Sequence, residues 1–359
     1  MKLHPAPQAP AFLGPLRDAQ FAAMDNLRHV QANTLDLFGF GAHESAFEVV
    51  ASGPHWRLRH YAGAAPGAPL LLVPAPIKRP YIWDLAPSVS TVRFCLDQGL
   101  DVYLLEWVPP SDGAAGIEEY AEGAIAACAK IVAERSGGAL PCLVGHSLGG
   151  TLAAICCALH PSLARGLVLL GAPLSFEPGS SRFRDLVVSL AQTDMVDDGV
   201  VAGSLLSQGC VFLSPATFLW PRWMDAAFSL TDPAAMDIHI RVDRWALDEM
   251  PLPGRLIHQI VGWLYREDRF HRGVLTVGGR EIGPADLRLP VLAVVSAADE
   301  IGPRASVEPF FGKTDSGKTR IIEYPTEIGV GLQHLAILAG RRAHAETWPE
   351  IAAWLKALD

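Results

Sequence analysis

Charge is sparse in this chain of 359 residues. Only 19% of positions are Asp, Glu, Lys or Arg, and 29 basic against 38 acidic residues leave a net charge of −9. No basic stripe is available to neutralise phosphates, which argues against a nucleic-acid-binding role. Cysteine is scarce as well. The six, at positions 95, 128, 142, 156, 157 and 210, lack C-x-x-C spacing and lie mostly in apolar runs. They predict reduced, buried thiols in a cytoplasmic protein, not a disulfide framework or a zinc site. No H-E-x-x-H or similar ligand spacing occurs, so no metal is expected. No G-x-G-x-x-G follows a strand-like run with an acidic residue beyond it, so no nicotinamide cofactor is expected either. Residues Met1 to Gly14 are Pro-rich, carry one Lys and contain no apolar run, which predicts no signal peptide. From Ser136 to Ala164 no charged residue occurs, a length that could span a bilayer. Gly137, Gly138, Pro141, Gly145, Gly149, Gly150 and Pro161 interrupt it, so a buried strand, a tight turn and a buried helix are expected there, with no membrane span.

What the chain does have is hydrophobic residues, at 50% of positions, arranged in alternating patterns. Asp18 to Phe38 has helical spacing and stops at Gly39-Phe40-Gly41. Strands are expected at His55–Tyr61, Leu70–Val73, Asp101–Trp107, Leu140–Gly145, Gly166–Gly171, Pro290–Ser296 and Arg320–Tyr324. Helices are expected at Val89–Gln98, Gly116–Glu134, Leu148–Leu159 and Ala343–Ala357. The strands are too uniformly apolar for a half-exposed sheet, which points to a mostly parallel sheet covered by helices on both faces. Between Phe176 and Leu289 the alternation lapses into helix-like pieces rich in Trp, Phe, Met and Pro. The expected organisation is an N-terminal helical segment (1–45), one α/β core (46–175 and 290–359) and an inserted, mainly helical cap (176–289).

Gly145-His146-Ser147-Leu148-Gly149 is G-x-S-x-G, set between an expected strand and an expected helix. That context defines a nucleophile elbow and, with the sheet pattern, an α/β-hydrolase fold. The turn is so sharp that its flanking positions must lack side chains, hence Gly145 and Gly149. Ser147 would project at a helix N-terminus, where developing negative charge is favoured. A serine hydroxyl needs a base, and the base an orienting acid. In this fold they follow the nucleophile in the order acid, then His, after two late strands. Pro290–Ser296 leads into Ala297-Ala298-Asp299-Glu300, and Arg320–Tyr324 leads towards Gln333-His334. Asp299 is the expected acid, with Glu300 the alternative, and His334 is the expected base. His146, inside the elbow, reads as a packing neighbour and His344 as part of a surface helix. Two backbone N–H groups must receive the oxyanion. One belongs to Leu148. The other comes from the loop Val73-Pro74-Ala75-Pro76-Ile77, where the prolines cannot donate, leaving Ile77 ahead of Ala75.

With these residues in place a resemblance emerges. Leu72-Val73-Pro74-Ala75-Pro76-Ile77-Lys78-Arg79-Pro80-Tyr81-Ile82-Trp83-Asp84-Leu85-Ala86-Pro87 resembles the early core segment of polyhydroxyalkanoate (PHA) synthases. So does Gly99-Leu100-Asp101-Val102-Tyr103-Leu104-Leu105-Glu106-Trp107. Trp245-Ala246-Leu247-Asp248-Glu249-Met250-Pro251 is similar to the family's Trp-x-x-Asp-x-x-x-Pro stretch, one residue short before the Pro. Leu264-Tyr265-Arg266-Glu267-Asp268 with Gly278-Gly279 is similar to its next segment. Asp299 and His334 fall where the family keeps its catalytic Asp and His, and the chain length resembles the shorter synthases that work with a partner subunit. Four departures stand out. The elbow carries Ser147 where the family has Cys, Lys78-Arg79 follow Ile77 in place of Asn and a basic residue, Glu300 replaces a His, and Gln333 replaces a Gly.

The serine matters most. A thiolate reacts readily with a CoA thioester and holds the acyl group at thioester energy. A serine acyl-enzyme is an oxyester, formed from esters or thioesters and released to water once water enters. The expectation is a serine-dependent acyl hydrolase or acyltransferase acting on 3-hydroxyacyl esters or CoA thioesters, the cap forming an apolar acyl tunnel. CoA would enter only as part of a substrate. The alternatives are a PHA synthase using Ser147, with a homodimeric or synthase-type partner subunit, and a non-catalytic protein that binds polyester granules or a synthase. An intact Ser147/Asp299/His334 set argues against the last.

Overall fold

The computed structural model describes residues 13–63, 67–190, 199–314 and 317–358. The Pro-rich opening stretch read above for a leader lies largely outside them. Eight strands form one sheet: β1 Glu48–Gly53, β2 Trp56–Tyr61, β3 Pro69–Val73, β4 Asp101–Trp107, β5 Cys142–His146, β6 Gly166–Leu170, β7 Val291–Val295 and β8 Thr319–Glu323. Their spatial order is β1-β2-β4-β3-β5-β6-β7-β8. β2 runs antiparallel to both β1 and β4, and every later pairing is parallel.

Side-chain alternation explains why both faces are covered. Leu71 and Val73 enter one apolar cluster and Leu70 and Leu72 the other. Leu167 and Leu169 likewise oppose Val168 and Leu170. Every residue of β3, β5, β6 and β7 is buried, as expected of a parallel sheet packed by helices on both sides. The labelled helices are α1 Leu13–Leu37, α2 Thr91–Asp97, α3 Ala127–Arg135, α4 Leu148–Leu159, α5 Gly203–Leu213, α6 Trp220–Ser229, α7 Pro233–Ala246 and α8 Trp348–Lys356, with a further helix at Arg182–Leu190 and shorter helical pieces between them. In α4, Gly149 to Leu159 are buried without exception, which accounts for the uncharged run as a core helix. Among the described residues no helix is long and apolar enough to cross a membrane.

The structure corrects several boundaries. Val89 and Ser90 pair with Asp84–Ala86 as a small ribbon, so α2 starts at Thr91, where the Ser90 hydroxyl accepts the Arg93 N–H. The expected helices at 116–134 and 343–357 each open with wide π-type turns, at Glu119–Ala126 and Ala343–Thr347. β1 had no counterpart in the sequence reading. Its residues are mostly half-exposed or exposed, so it lacks the apolar run that marked the other strands.

The 176–289 segment divides in two. Helices α5, α6 and α7 form one part. The later part, through Leu256, Leu264, Phe270, Leu275, Ile282 and Leu289, shares the apolar cluster of α4 and one sheet face, and the Arg280 guanidinium caps the α4 end by donating to the Leu159 carbonyl at 2.5 Å. Of the cysteines, all free, five are fully buried and Cys210 is partly so.

Candidate active site

The elbow joins β5 to α4. Ser147 sits at φ 53°, ψ −133°, a backbone that non-glycine residues adopt only when the surroundings enforce it. The enforcement is visible. The Ser147 N–H donates to the Leu170 carbonyl at 2.9 Å, and its own carbonyl accepts from Gly150 N–H at 2.9 Å. A Cβ on Gly145 would lie under 3.0 Å from the Gly150 backbone, and one on Gly149 would meet the Val73 and Pro74 carbonyls just as closely. At both positions the close approach of backbone leaves no room for a side chain. Gly150, packed against Ala172 and the Gly145 carbonyl, is equally constrained, although it lies outside the G-x-S-x-G motif.

His334 and Asp299 are brought together. His334 Nδ1 lies 2.8 Å from Asp299 Oδ2. Asp299 Oδ1 accepts the N–H groups of Ile301 (2.8 Å) and Gly302 (3.1 Å). Burial would raise the Asp299 carboxyl, but His334 and the two N–H donors outweigh it and hold it below its ordinary value. The Tyr324 hydroxyl reaches Asp299 Oδ2 at 3.4 Å and the Gln333 carbonyl at 3.1 Å. Gly171, at φ +53°, leaves room for the pair, since a Cβ there would lie 3.0 Å from Asp299 Oδ2 and 3.2 Å from His334 Nδ1. Glu300 faces elsewhere, 3.3 Å from Arg182. Of the two carboxylates considered, Asp299 is the one that meets His334.

His146 does more than pack. Its Nε2 lies 3.0 Å from the His334 carbonyl, and the two rings are 4.6 Å apart. Burial, with the neighbouring His334, pushes His146 down to about 3, so it is neutral at physiological pH and donates Nε2–H to that carbonyl. The residue preceding Ser147 therefore ties His334 to the elbow. His334 Nε2 is buried and makes no hydrogen bond. Such an atom in a folded interior calls for a partner.

The loop after β3 is held from three sides. Trp107 Nε1 donates to the Pro74 carbonyl at 2.8 Å, Met250 N–H to the Ile77 carbonyl at 3.0 Å, and Trp245 Nε1 to the Arg79 carbonyl at 2.8 Å. Lys78, which stands where the resembling family has Asn, turns into the cap, bonding the Ala246 carbonyl and Glu249. Arg28 of α1 meets the same Glu249 oxygen at 2.6 Å. Burial, against the pull of Glu249, lowers Lys78 to about 8. Leu148 opens α4, where the first N–H groups of a helix have no intrahelical acceptor. Gln333 has its own role, since its amide exchanges bonds with the Glu327 N–H (3.0 Å) and carbonyl (2.7 Å) and so fixes the loop ahead of His334.

No cysteine offers a second nucleophile at the elbow. Burial holds the Cys156 and Cys142 thiols near 12 and Cys210 near 11, all protonated. Elsewhere, Glu177, Asp268 and His271 bring one possible ligand atom each within 4.8 Å of one another. Asp268 is already engaged by the Phe176 N–H (2.8 Å) and His271 (2.9 Å), the pattern of a carboxylate that holds a turn.

A buried parallel sheet, a serine at an enforced sharp turn, and an acid–histidine pair after the last two strands define one class of protein. The chain belongs to the alpha/beta hydrolase fold family, which matches residues 86–308, and it is an enzyme of that class. Within it, the chain is similar to subunits of PHA polymerases. It is 29% identical over 317 residues to the poly(3-hydroxyalkanoate) polymerase subunit PhaC of Haloferax mediterranei, a match covering 86% of this chain and 63% of that protein. With the PhaC subunit of Allochromatium vinosum it shares 29% identity over 300 residues, 82% of each chain. The chain thus spans less than two thirds of the haloarchaeal relative's length. In fold it is similar to the monoacylglycerol lipase of Paleococcus ferrophilus (TM-score 0.50, 17% identity, 85% of this chain and 99% of that one) and to the esterase RhEst1 of a Rhodococcus species (TM-score 0.51, 16% identity, 88% and 100%).

Proposed function

We propose that this chain is a serine-dependent acyl hydrolase or acyltransferase that works through Ser147, His334 and Asp299 on 3-hydroxyacyl esters or CoA thioesters. The observation that carries it is the buried, unpartnered His334 Nε2, backed by Asp299 at 2.8 Å, in a loop that His146 of the elbow ties down through the His334 carbonyl at 3.0 Å. In this reading Nε2 takes the proton of the Ser147 hydroxyl as its oxygen attacks the acyl carbonyl. The carbonyl oxygen becomes an oxyanion, received by the N–H groups of Leu148 and Ile77. The tetrahedral intermediate collapses, and His334 returns the proton to the departing alkoxide or thiolate. Water or a hydroxyl acceptor then cleaves the oxyester, with His334 again accepting and returning a proton. Asp299 fixes the ring so that Nδ1 carries hydrogen and Nε2 is free to accept. No cofactor is needed, and CoA takes part only as a leaving group.

The similarity to PhaC subunits favours a second reading, in which Ser147 performs the chain growth of a PHA synthase with a partner subunit or a second copy. Transfer of an oxyester to a hydroxyl chain end is chemically feasible. For this site the two readings differ only in what deacylates Ser147. The helix α6 supports contact with an apolar surface such as a polyester granule, because Trp220, Trp223, Met224 and Phe228 are more than half exposed on it.

Purified protein given a 3-hydroxyacyl-CoA and short-chain nitrophenyl esters separates the readings. Release of free acid and CoA, abolished in Ser147→Ala, supports the hydrolase. Polymer accumulation, likewise abolished, supports the synthase. Activity surviving in Ser147→Ala refutes both.

A further inference from the structure

The loop that carries His334 does not stand on the core alone. Gly329 and Gly331 hold it in left-handed backbone, at φ +84° and +70°. A Cβ on Gly329 would meet the Ala235 backbone of α7 within 3.0 Å, and one on Gly331 would lie 3.3 Å from Val242. The Asp225 carboxylate of α6 reaches into this junction. Its Oδ1 accepts the Gly329 N–H at 2.8 Å and its Oδ2 the Gly331 N–H at 2.8 Å. The same carboxylate is held by His239 of α7, Nδ1 to Oδ2 at 2.6 Å, and His239 Nε2 lies 3.5 Å from Asp243. Asp225 and His239 are both buried, although α6 is otherwise among the most exposed helices of the molecule. A carboxylate taken out of water needs charge-assisted partners, and here the N–H groups of Gly329 and Gly331 and the His239 ring supply them.

We infer that Asp225 and His239, both in the inserted segment, are positioning residues for His334. They clamp the Gly329-Val330-Gly331 stretch so that the ring three residues on meets Asp299 and the elbow together. The inference rests on His334 being the base. A consequence is that α6, whose outer face is apolar, is mechanically joined to the catalytic histidine through its inner face, so that the cap takes part in chemistry as well as in covering the site.

The test measures kcat per active site, with sites counted by exhaustive fluorophosphonate labelling so that misfolded protein is excluded. Asp225→Ala removes both acceptors and is expected to lower kcat per site at least tenfold with KM within twofold. Asp225→Asn keeps one acceptor and is expected to fall between it and wild type. Gly331→Ala perturbs the same junction from the loop side and is expected to act like Asp225→Ala; it decides the matter if Asp225→Ala yields no labelled sites. A purely structural role predicts fewer labelled sites with unchanged kcat per site, and that result in Asp225→Ala, or in Gly331→Ala, overturns the inference. If Ser147→Ala keeps full turnover, the triad reading itself fails, a distinct outcome.

Discussion

Replacing Asp299 by Asn tests the orientation of His334 with almost no change in volume. The structure says which way the amide would lie. Asp299 Oδ1 accepts two backbone N–H groups, from Ile301 at 2.8 Å and Gly302 at 3.1 Å. Turning the amide nitrogen towards them would forfeit two hydrogen bonds and leave buried donors unmet, at about 1–3 kcal/mol each. The amide oxygen therefore stays on that side and the NH2 faces His334 Nδ1. His334 must then accept at Nδ1 and carry its hydrogen on Nε2, where it can no longer take a proton from Ser147. A histidine fixed in the wrong tautomer costs about 10⁴ in kcat, or about 5 kcal/mol of barrier. Because both backbone bonds survive, the melting temperature should change by only a few degrees. The assay is kcat and KM on short-chain nitrophenyl esters between pH 7 and 8. Asp299 protonation does not intrude there. A carboxyl whose folded pKa is depressed contributes its stabilisation above the unfolded value, near 3.9, and loses it only as pH falls through the folded value. Glu300→Gln, altering the residue that faces Arg182, should stay within twofold of wild type. A loss of less than tenfold in Asp299→Asn, or a larger loss in Glu300→Gln, would refute the reasoning.

Three further outcomes are expected. Gly149→Ala places a methyl against the Val73 and Pro74 carbonyls under 3.0 Å, so the elbow must shift; labelling of Ser147 by a fluorophosphonate should be lost even where folded protein is recovered, as judged by circular dichroism. Stability should fall on acidification because burial depresses His146 to about 3. Between pH 6.5 and that value the unfolded chain binds a proton that the folded one does not, so about 1.4 kcal/mol is lost per pH unit from this residue, measured by urea titration at pH 7 and 5; His146→Gln should flatten that slope, and an unchanged slope would contradict the assignment. Ser147→Cys should restore thioester-directed acylation, read as an acyl adduct by intact mass after mixing with a 3-hydroxyacyl-CoA.

The parts of the fold legible in the sequence are those that bury on both faces. Asp101–Trp107 and Leu148–Leu159 have the expected bounds to the residue, because each is a mostly apolar run with Gly or Pro close by at its ends. β1 escaped because an edge strand paired on one side needs no apolar run, and the π turns at 119–126 and 343–347 escaped because they preserve helical composition. At the site, motif and order nominate Ser147, Asp299 and His334, and the structure brings Asp299 rather than Glu300 to His334. Local chemistry could not reveal contacts made across long stretches of chain. The bonds of Asp225 to Gly329 and Gly331 join residues about a hundred positions apart. A Gly-Val-Gly just before the histidine was the one available signal that the backbone there is held in unusual torsions. The role of His146 was likewise hidden, since nothing in a G-x-S-x-G motif says that its second residue will hold the histidine's carbonyl.

The central claim is that Ser147 becomes acylated. The most direct measurement is peptide mapping of protein trapped with a fluorophosphonate or quenched during turnover of a nitrophenyl ester. The account predicts one adduct, on the peptide containing Ser147, absent in Ser147→Ala and strongly slowed in His334→Ala. An adduct on Cys210 or another residue with Ser147 unmodified, or turnover that proceeds in Ser147→Ala, would contradict it.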